Sequence, residues 1–165
     1  MQNCLLCEKN KGMGSLKDIL FGDDPLCSSC RNQWNRKDIH FTLNGIQTEA
    51  SYVYNEAFSR CLIQFKELKD EALKDTFLFE VKKHVKRKYR GYTLCLMPSS
   101  MDRIKERGFN HLEQMYSCLG MKMMDPFEKA EDHDQKLLQK KDREKMVEGI
   151  RLKPGIVLPD KIVLC

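Results

Sequence analysis

No apolar run in this chain approaches the roughly 18 residues that a membrane-spanning helix requires, so no span is expected. Met1-Gln2-Asn3-Cys4 does not open a basic stretch leading into an apolar one, which argues against a secretory signal and for a cytoplasmic protein. Without export, the eight cysteines should stay reduced, and this turns the reading from a disulfide scaffold towards metal binding. Internal repeats and low-complexity linkers are also absent. The chain therefore reads as one ordinary domain, or as a small module joined to a compact one.

What is present suits a folded, water-exposed molecule. Of the 165 residues 41% are hydrophobic, enough for a core, while 32% are charged and the mean hydropathy is −0.56. The net charge of +5 is compatible with phosphate-bearing partners such as nucleic acid or nucleotides, and equally with a surface that serves solubility alone.

Residues 1 to about 37 form a turn-rich segment with Gly12, Gly14, Gly22 and Pro25 between two cysteine pairs. Its large apolar residues are chiefly Leu5, Leu6, Ile19, Leu20, Phe21 and Trp34, so it needs a cross-link or a metal to hold a fold. Phe41 to Tyr54 reads as β, with Asn44-Gly45 as a hairpin turn. Asn55 is placed to cap a helix carrying Phe58, Leu62, Phe65 and Leu68 on one face. A second helix is expected over Asp70 to Lys88, with Leu73, Phe77, Val81 and Val85 facing inwards. Tyr92 to Met97 reads as a buried strand closed by Pro98, followed by a polar, basic loop to Gly108 and a helix over Phe109 to Leu119. A short strand and turn near Pro126, a charged helix-like stretch over Asp134 to Glu148, and a buried strand over Asp160 to Cys165 complete the chain. Strands and helices in this order suggest an α/β layer with a parallel sheet, whose ligands gather at the carboxyl ends of the strands.

The sharpest chemical signal is Cys4-x2-Cys7, nineteen residues, then Cys27-x2-Cys30. Two residues between cysteines let both sulfurs of one turn reach the same ion, and two such turns complete a tetrahedron. Four thiolates leave no open coordination position, so the expected role is a structural Zn2+ site and not a Lewis acid. A redox dithiol is one rival reading, though neither pair sits between an obvious strand and helix, and four unrelated buried thiols are another. Cys61, Cys95 and Cys118 lie among apolar neighbours and read as small buried side chains. Cys165 reads as an exposed, unstructured thiol. No catalytic residue is assigned.

Two cationic segments remain. In Pro98 to Asn110, hydroxyls and cations follow a strand and precede a helix, so Ser99, Ser100, Arg103 and Arg107 are candidate phosphate contacts; a solvated charged loop is the plainer reading. Residues 82–90 contain six Lys or Arg beside Tyr89 and Tyr92. Cations with aromatics are what a single-stranded nucleic acid site combines, which makes Lys82, Lys83, Lys86, Arg87, Lys88 and Arg90 candidate contacts. The same run also suits the solvated last turns of a helix, where the dipole favours positive charge.

Taken in order, the cysteine knuckles, Tyr54-Asn55-Glu56-Ala57, Phe65-Lys66, the loop after Pro98, Arg107-Gly108-Phe109-Asn110 and Gln135-x2-Leu138-x4-Arg143 resemble the ComF family of competence proteins. Arg-Gly-Phe-Asn is the most specific of these pieces. The resemblance implies a zinc-ribbon-like module over residues 1–40 and a type I phosphoribosyltransferase-like parallel-sheet domain over 41–165. It also implies a role in DNA uptake during natural transformation, with single-stranded DNA and other competence proteins as partners.

Departures accompany the likeness. Leu96-Met97-Pro98 stands for the family's Pro-Val-Pro, His111 for its Gln, and Met146 lies near where an Asn is expected. The strand at Ile162-Val163-Leu164 is expected to run into an Asp-Asp-x-x-Thr-Thr-Gly loop that grips phosphoribosyl pyrophosphate, and the sequence has none. The second domain is therefore expected to be a truncated, marginally stable one that binds and scaffolds with little or no turnover. Two alternatives stand beside this: an enzyme using phosphoribosyl pyrophosphate, and a generic zinc-ribbon adaptor for nucleic acid.

Overall fold

A computed structural model describes residues 3–11, 23–129 and 149–165. The helix-like stretch over 134–148, the Gln135, Leu138 and Arg143 positions, and Gly12, Gly14, Ile19, Leu20, Phe21 and Gly22 lie outside the described residues. The chain divides into two compact units, Met1–Val81 and Lys82–Cys165.

In the first unit the second cysteine pair brackets the start of a short helix, α1 (Ser28–Asn32). An antiparallel hairpin follows, β1 (Arg36–Leu43) and β2 (Ile46–Tyr52). Its turn is Asn44-Gly45 as expected: φ is 49° and 81° at the two positions, the left-handed geometry of a two-residue turn that matches the twist of its strands. Asn55 then caps α2 (Glu56–Lys66), its side chain accepting a hydrogen bond from the Phe58 amide at 2.9 Å. The Asn55 side-chain Nδ2 also donates to the Gln33 carbonyl at 2.8 Å, so one residue both starts the helix and grips the end of the cysteine segment.

The single helix expected over Asp70 to Lys88 does not form. Lys69 adopts a left-handed φ of 61°, and Glu71–Thr76 winds as a 3₁₀ helix before turns lead to Val81. The tighter winding has three residues per turn, which brings Thr76 inwards beside Leu73; both are fully buried. The Thr76 hydroxyl donates to the Leu73 carbonyl at 2.6 Å, a local bond that favours this turn over a regular helix. Leu73, Phe77 and Val81 are buried as their spacing implied. Phe77 joins Trp34, Phe58 and Phe65 in an aromatic cluster whose rings meet at 4.8–5.9 Å.

The second unit opens with α3 (Lys82–Lys88). Gly91, at φ 80°, turns the chain into β3 (Thr93–Cys95). Helices α4 (Met101–Arg107) and α5 (His111–Ser117) follow, then the short strands β4 (Met123–Met124) and β5 (Phe127–Lys129). The last two strands are β6 (Ile150–Leu152) and β7 (Ile162–Leu164).

Strands β4, β3 and β7 make a three-stranded parallel sheet in that order, with Leu94 opposite Met123 on one side and Val163 on the other. A central parallel strand is covered on both faces and so reads as a continuous apolar run; Leu94 and Cys95 are fully buried and Leu96 nearly so. Strands β5 and β6 form a separate antiparallel pair. The fold class is thus α/β with a parallel sheet, as expected.

The basic loop expected between Pro98 and Gly108 is mostly helix. Ser100 accepts from the Arg103 amide at 3.4 Å, and Gly108, at φ 91°, ends α4 in a left-handed cap. Asn110 then caps α5 through Leu112 at 3.1 Å. Cys165, expected to be exposed and unstructured, extends the sheet instead: its amide donates to the Cys95 carbonyl at 3.0 Å, and its carbonyl accepts from Met97 at 2.8 Å.

Candidate metal centre and cationic surfaces

Each cysteine pair sits on a backbone turn that aims its thiols inwards. In the first, the Cys4 carbonyl accepts from Glu8 at 2.8 Å and the Cys4 amide donates to Lys9 at 2.9 Å. In the second, the Cys27 carbonyl accepts from Arg31 at 2.9 Å, closing the first turn of α1. The Leu5 amide donates to Pro25 at 3.1 Å and draws the two turns together.

The outcome is four sulfurs, of Cys4, Cys7, Cys27 and Cys30, all within 4.8 Å of one another. Cys7 Sγ and Cys27 Sγ lie 3.7 Å apart. A thiolate tetrahedron with metal–sulfur bonds of about 2.3 Å has edges of about 3.8 Å, so the Cys7–Cys27 separation has the length of an edge in a filled site. Cys4 and Cys27 are buried, and all four positions of a tetrahedral ion would be taken by sulfur.

Electrostatics within the cluster are asymmetric. Burial pushes the Cys4 thiol up, but hydrogen bonds from the backbone of Cys27, Cys7 and Leu6 outweigh it and bring Cys4 down to about 7. Burial raises Cys27 and Cys30, and for Cys30 the neighbouring thiols and the Cys4 charge add to the effect. A divalent ion must displace thiol protons to bind here.

Around this centre lies a buried ionic network that the spacing of the cysteines did not reveal. Arg31, next to Cys30, forks onto Asp24, with Nε to Oδ2 at 2.8 Å and Nη2 to Oδ1 at 2.6 Å. Its Nη1 donates to the Thr76 carbonyl at 2.9 Å, and the guanidinium lies 4.6 Å from the Trp34 ring centre. Asp24 Oδ1 also accepts from the Leu26 amide at 2.9 Å. Charges beside a Pro-Leu step carry no sequence signal of burial; only the folded arch brings them together.

The candidate phosphate contacts sit where the chain leaves β3. Ser99 Oγ lies 3.5 Å from His111 Nδ1, and Arg107 Nη1 lies 3.3 Å from the same nitrogen. The structure thus brings Ser99 and Arg107 together through His111, which the sequence reading noted only as a departure. Arg103 turns to Glu106 at 3.2 Å, and Ser100 is engaged as the cap of α4.

The second cationic group lies at the other end of the sheet. Lys83, Lys86, Arg87, Lys88 and Arg90 are exposed and Lys82 is half-buried. Tyr89 and Tyr92 meet edge to face at 5.7 Å, with Lys88 over Tyr89 at 5.3 Å and Lys161 over Tyr92 at 5.9 Å. Lys161, which precedes β7 and hydrogen-bonds Thr93 at 2.9 Å through its carbonyl, was not among the expected contacts; parallel pairing of β7 with β3 brings it there.

Cys61, Cys95 and Cys165 are poor nucleophiles. Burial pushes Cys61 and Cys165 up to about 11 and raises Cys95. A nucleophile or ligand needs the thiolate. Among the described residues no helix is long and apolar enough to cross a membrane.

No family model matches the chain, and no solved structure matches it. Among curated proteins it is similar to "Competence protein ComFC" of Streptococcus pneumoniae (strain ATCC BAA-255 / R6), with 27% identity over 186 aligned residues. That alignment takes in 98% of this chain and 84% of the relative. A likeness running nearly end to end, in a chain whose motifs follow the order of the ComF family, supports the resemblance to the ComF family of competence proteins.

Proposed function

We propose that this protein is a zinc-stapled competence protein that handles transforming DNA in the cytoplasm by binding, with Cys4, Cys7, Cys27 and Cys30 as the ligands of one structural Zn2+. The competence role rests on the near full-length likeness to ComFC, and this observation carries the reading. Thiolate ligands suit zinc, and the sulfur spacing matches its tetrahedron. When bound, the ion supplies a cross-link between two turns that have little core of their own.

The DNA-facing surface in this reading is the exposed part of Lys82, Lys83, Lys86, Arg87, Lys88 and Arg90. The cations neutralise backbone phosphates, while Tyr89 and Tyr92 offer faces on which bases can stack. Filter binding of single-stranded DNA at two salt concentrations tests it. Binding that weakens with salt, and weakens further on charge reversal of Lys86 and Arg87, is the expected result. Binding indifferent to both would refute it. Competence proteins of the same cell are further partners in this reading.

A second reading has its own observation. Ser99, Arg107 and His111 converge at the carboxyl end of β3, where open parallel sheets bind phosphorylated ligands. It makes the chain a phosphoribosyltransferase-like protein whose Ser99, Ser100, Arg103 and Arg107 contact phosphate. Calorimetry with phosphoribosyl pyrophosphate separates the two: measurable heat supports this reading, and none leaves the binding role alone.

A further inference from the structure

We infer that Arg31 is a positioning residue for the metal centre, coupling metal occupancy to the packing of the Glu71–Val81 segment. The inference rests on the reading that the four cysteines hold a divalent ion. Arg31 directly follows the candidate ligand Cys30, and its side chain makes three hydrogen bonds to Asp24 and Thr76. The fork onto Asp24 holds the Asp24-Pro25-Leu26 arch in place. That arch receives the Leu5 amide at Pro25 and delivers Cys27 after Leu26. Both cysteine turns therefore hang on one ion pair.

The third bond, from Nη1 to the Thr76 carbonyl at 2.9 Å, leads outwards from the arch. Thr76 is fully buried, hydrogen-bonded to Leu73 and next to Phe77 in the aromatic cluster. Arg31 itself is 6% exposed and Asp24 8%. A charge pair this deeply desolvated holds only while every partner stays in place. If metal loss lets the cysteine turns separate, the arch relaxes, the fork loosens and the Thr76 carbonyl loses its donor. Coupling of this kind is reciprocal, so removing Arg31 must weaken metal binding as chelation must loosen residues 71–77. Groups that orient metal ligands from outside the coordination sphere usually change affinity by about 10–100-fold.

The test uses the full chain and zinc chloride titrated against a chromophoric chelator. Arg31→Met should bind zinc roughly 10–100-fold more weakly than the unaltered chain, and Arg31→Lys, which keeps a charged donor for Asp24, should recover part of that loss. Leu94→Ala, which damages the buried strand of the second unit and leaves residues 71–81 untouched, should lower the unfolding temperature yet keep zinc affinity near normal in the folded state. Unchanged affinity in Arg31→Met, no recovery in Arg31→Lys, or an equal loss in Leu94→Ala would each overturn the inference.

Should Arg31→Met not fold, hydrogen exchange on the unaltered chain decides. Chelation should strip protection from residues 71–77 together with 24–34, while 93–96 keep theirs; protection retained over 71–77 refutes the coupling. An unaltered chain that takes up no zinc at all overturns the metal reading itself, and this inference with it.

Discussion

At the scale of single residues, the cysteines divide by their surroundings and not by their number. Four share one small volume; burial holds others protonated. Cys30→Ser should abolish stoichiometric zinc in purified protein, because three sulfurs and a hydroxyl no longer close a thiolate tetrahedron; elemental analysis checks this. Cys61 behaves in the opposite sense. Its thiol rises from 9.0 to about 11 in the folded chain, so folding is favoured while the group is neutral. That contribution is complete below the unfolded value and is lost as pH climbs from about 9 through 11. Alkylation of Cys61 should accordingly be slow at neutral pH and accelerate on the alkaline side, read by mass spectrometry. Asn55→Ala removes both the cap of α2 and the bond to Gln33, and should cost about 1–2 kcal/mol in a denaturant melt.

Among the elements, burial separates two aromatics that look alike in sequence. Phe65 is fully buried, whereas Phe41 on β1 is 43% exposed. Phe65→Ala should cost about 3–5 kcal/mol and Phe41→Ser well under 1 kcal/mol, measured as shifts in unfolding midpoint. The apolar spacing of α2 made Phe65 legible beforehand, as Asn44-Gly45 made the hairpin and Asn55 made the cap. The buried run of β3 was equally plain.

Where the sequence misled, a local hydrogen bond had beaten periodicity. The Thr76 hydroxyl tightened an expected helix into a 3₁₀ turn, and Ser100 with Gly108 wound an expected loop into α4. The cysteine spacing disclosed the four sulfurs that the fold brings together. It could not disclose Arg31 and Asp24, because a buried charge pair leaves the same trace in a sequence as two solvated residues.

For the whole molecule, charge is the relevant quantity. The net +5 is spread over both signs, yet the run from Lys82 to Arg90 contains no acid at all. If this run holds single-stranded DNA, log affinity should fall against log salt with a slope of about −0.7 for each phosphate neutralised. Reversing Lys83, Lys86 and Arg87 together should then flatten that slope by about two units, measured by fluorescence anisotropy.

Because β3 and β7 run parallel, the tyrosine–lysine group stands at their amino ends, while Ser99, Arg107 and His111 gather where β3 finishes. A small phosphate ester and a polynucleotide would consequently not compete for the same atoms. If both surfaces bind as proposed, inorganic phosphate added at constant ionic strength should silence one and spare the other, and the choice of anion becomes a way of reading the two ends separately.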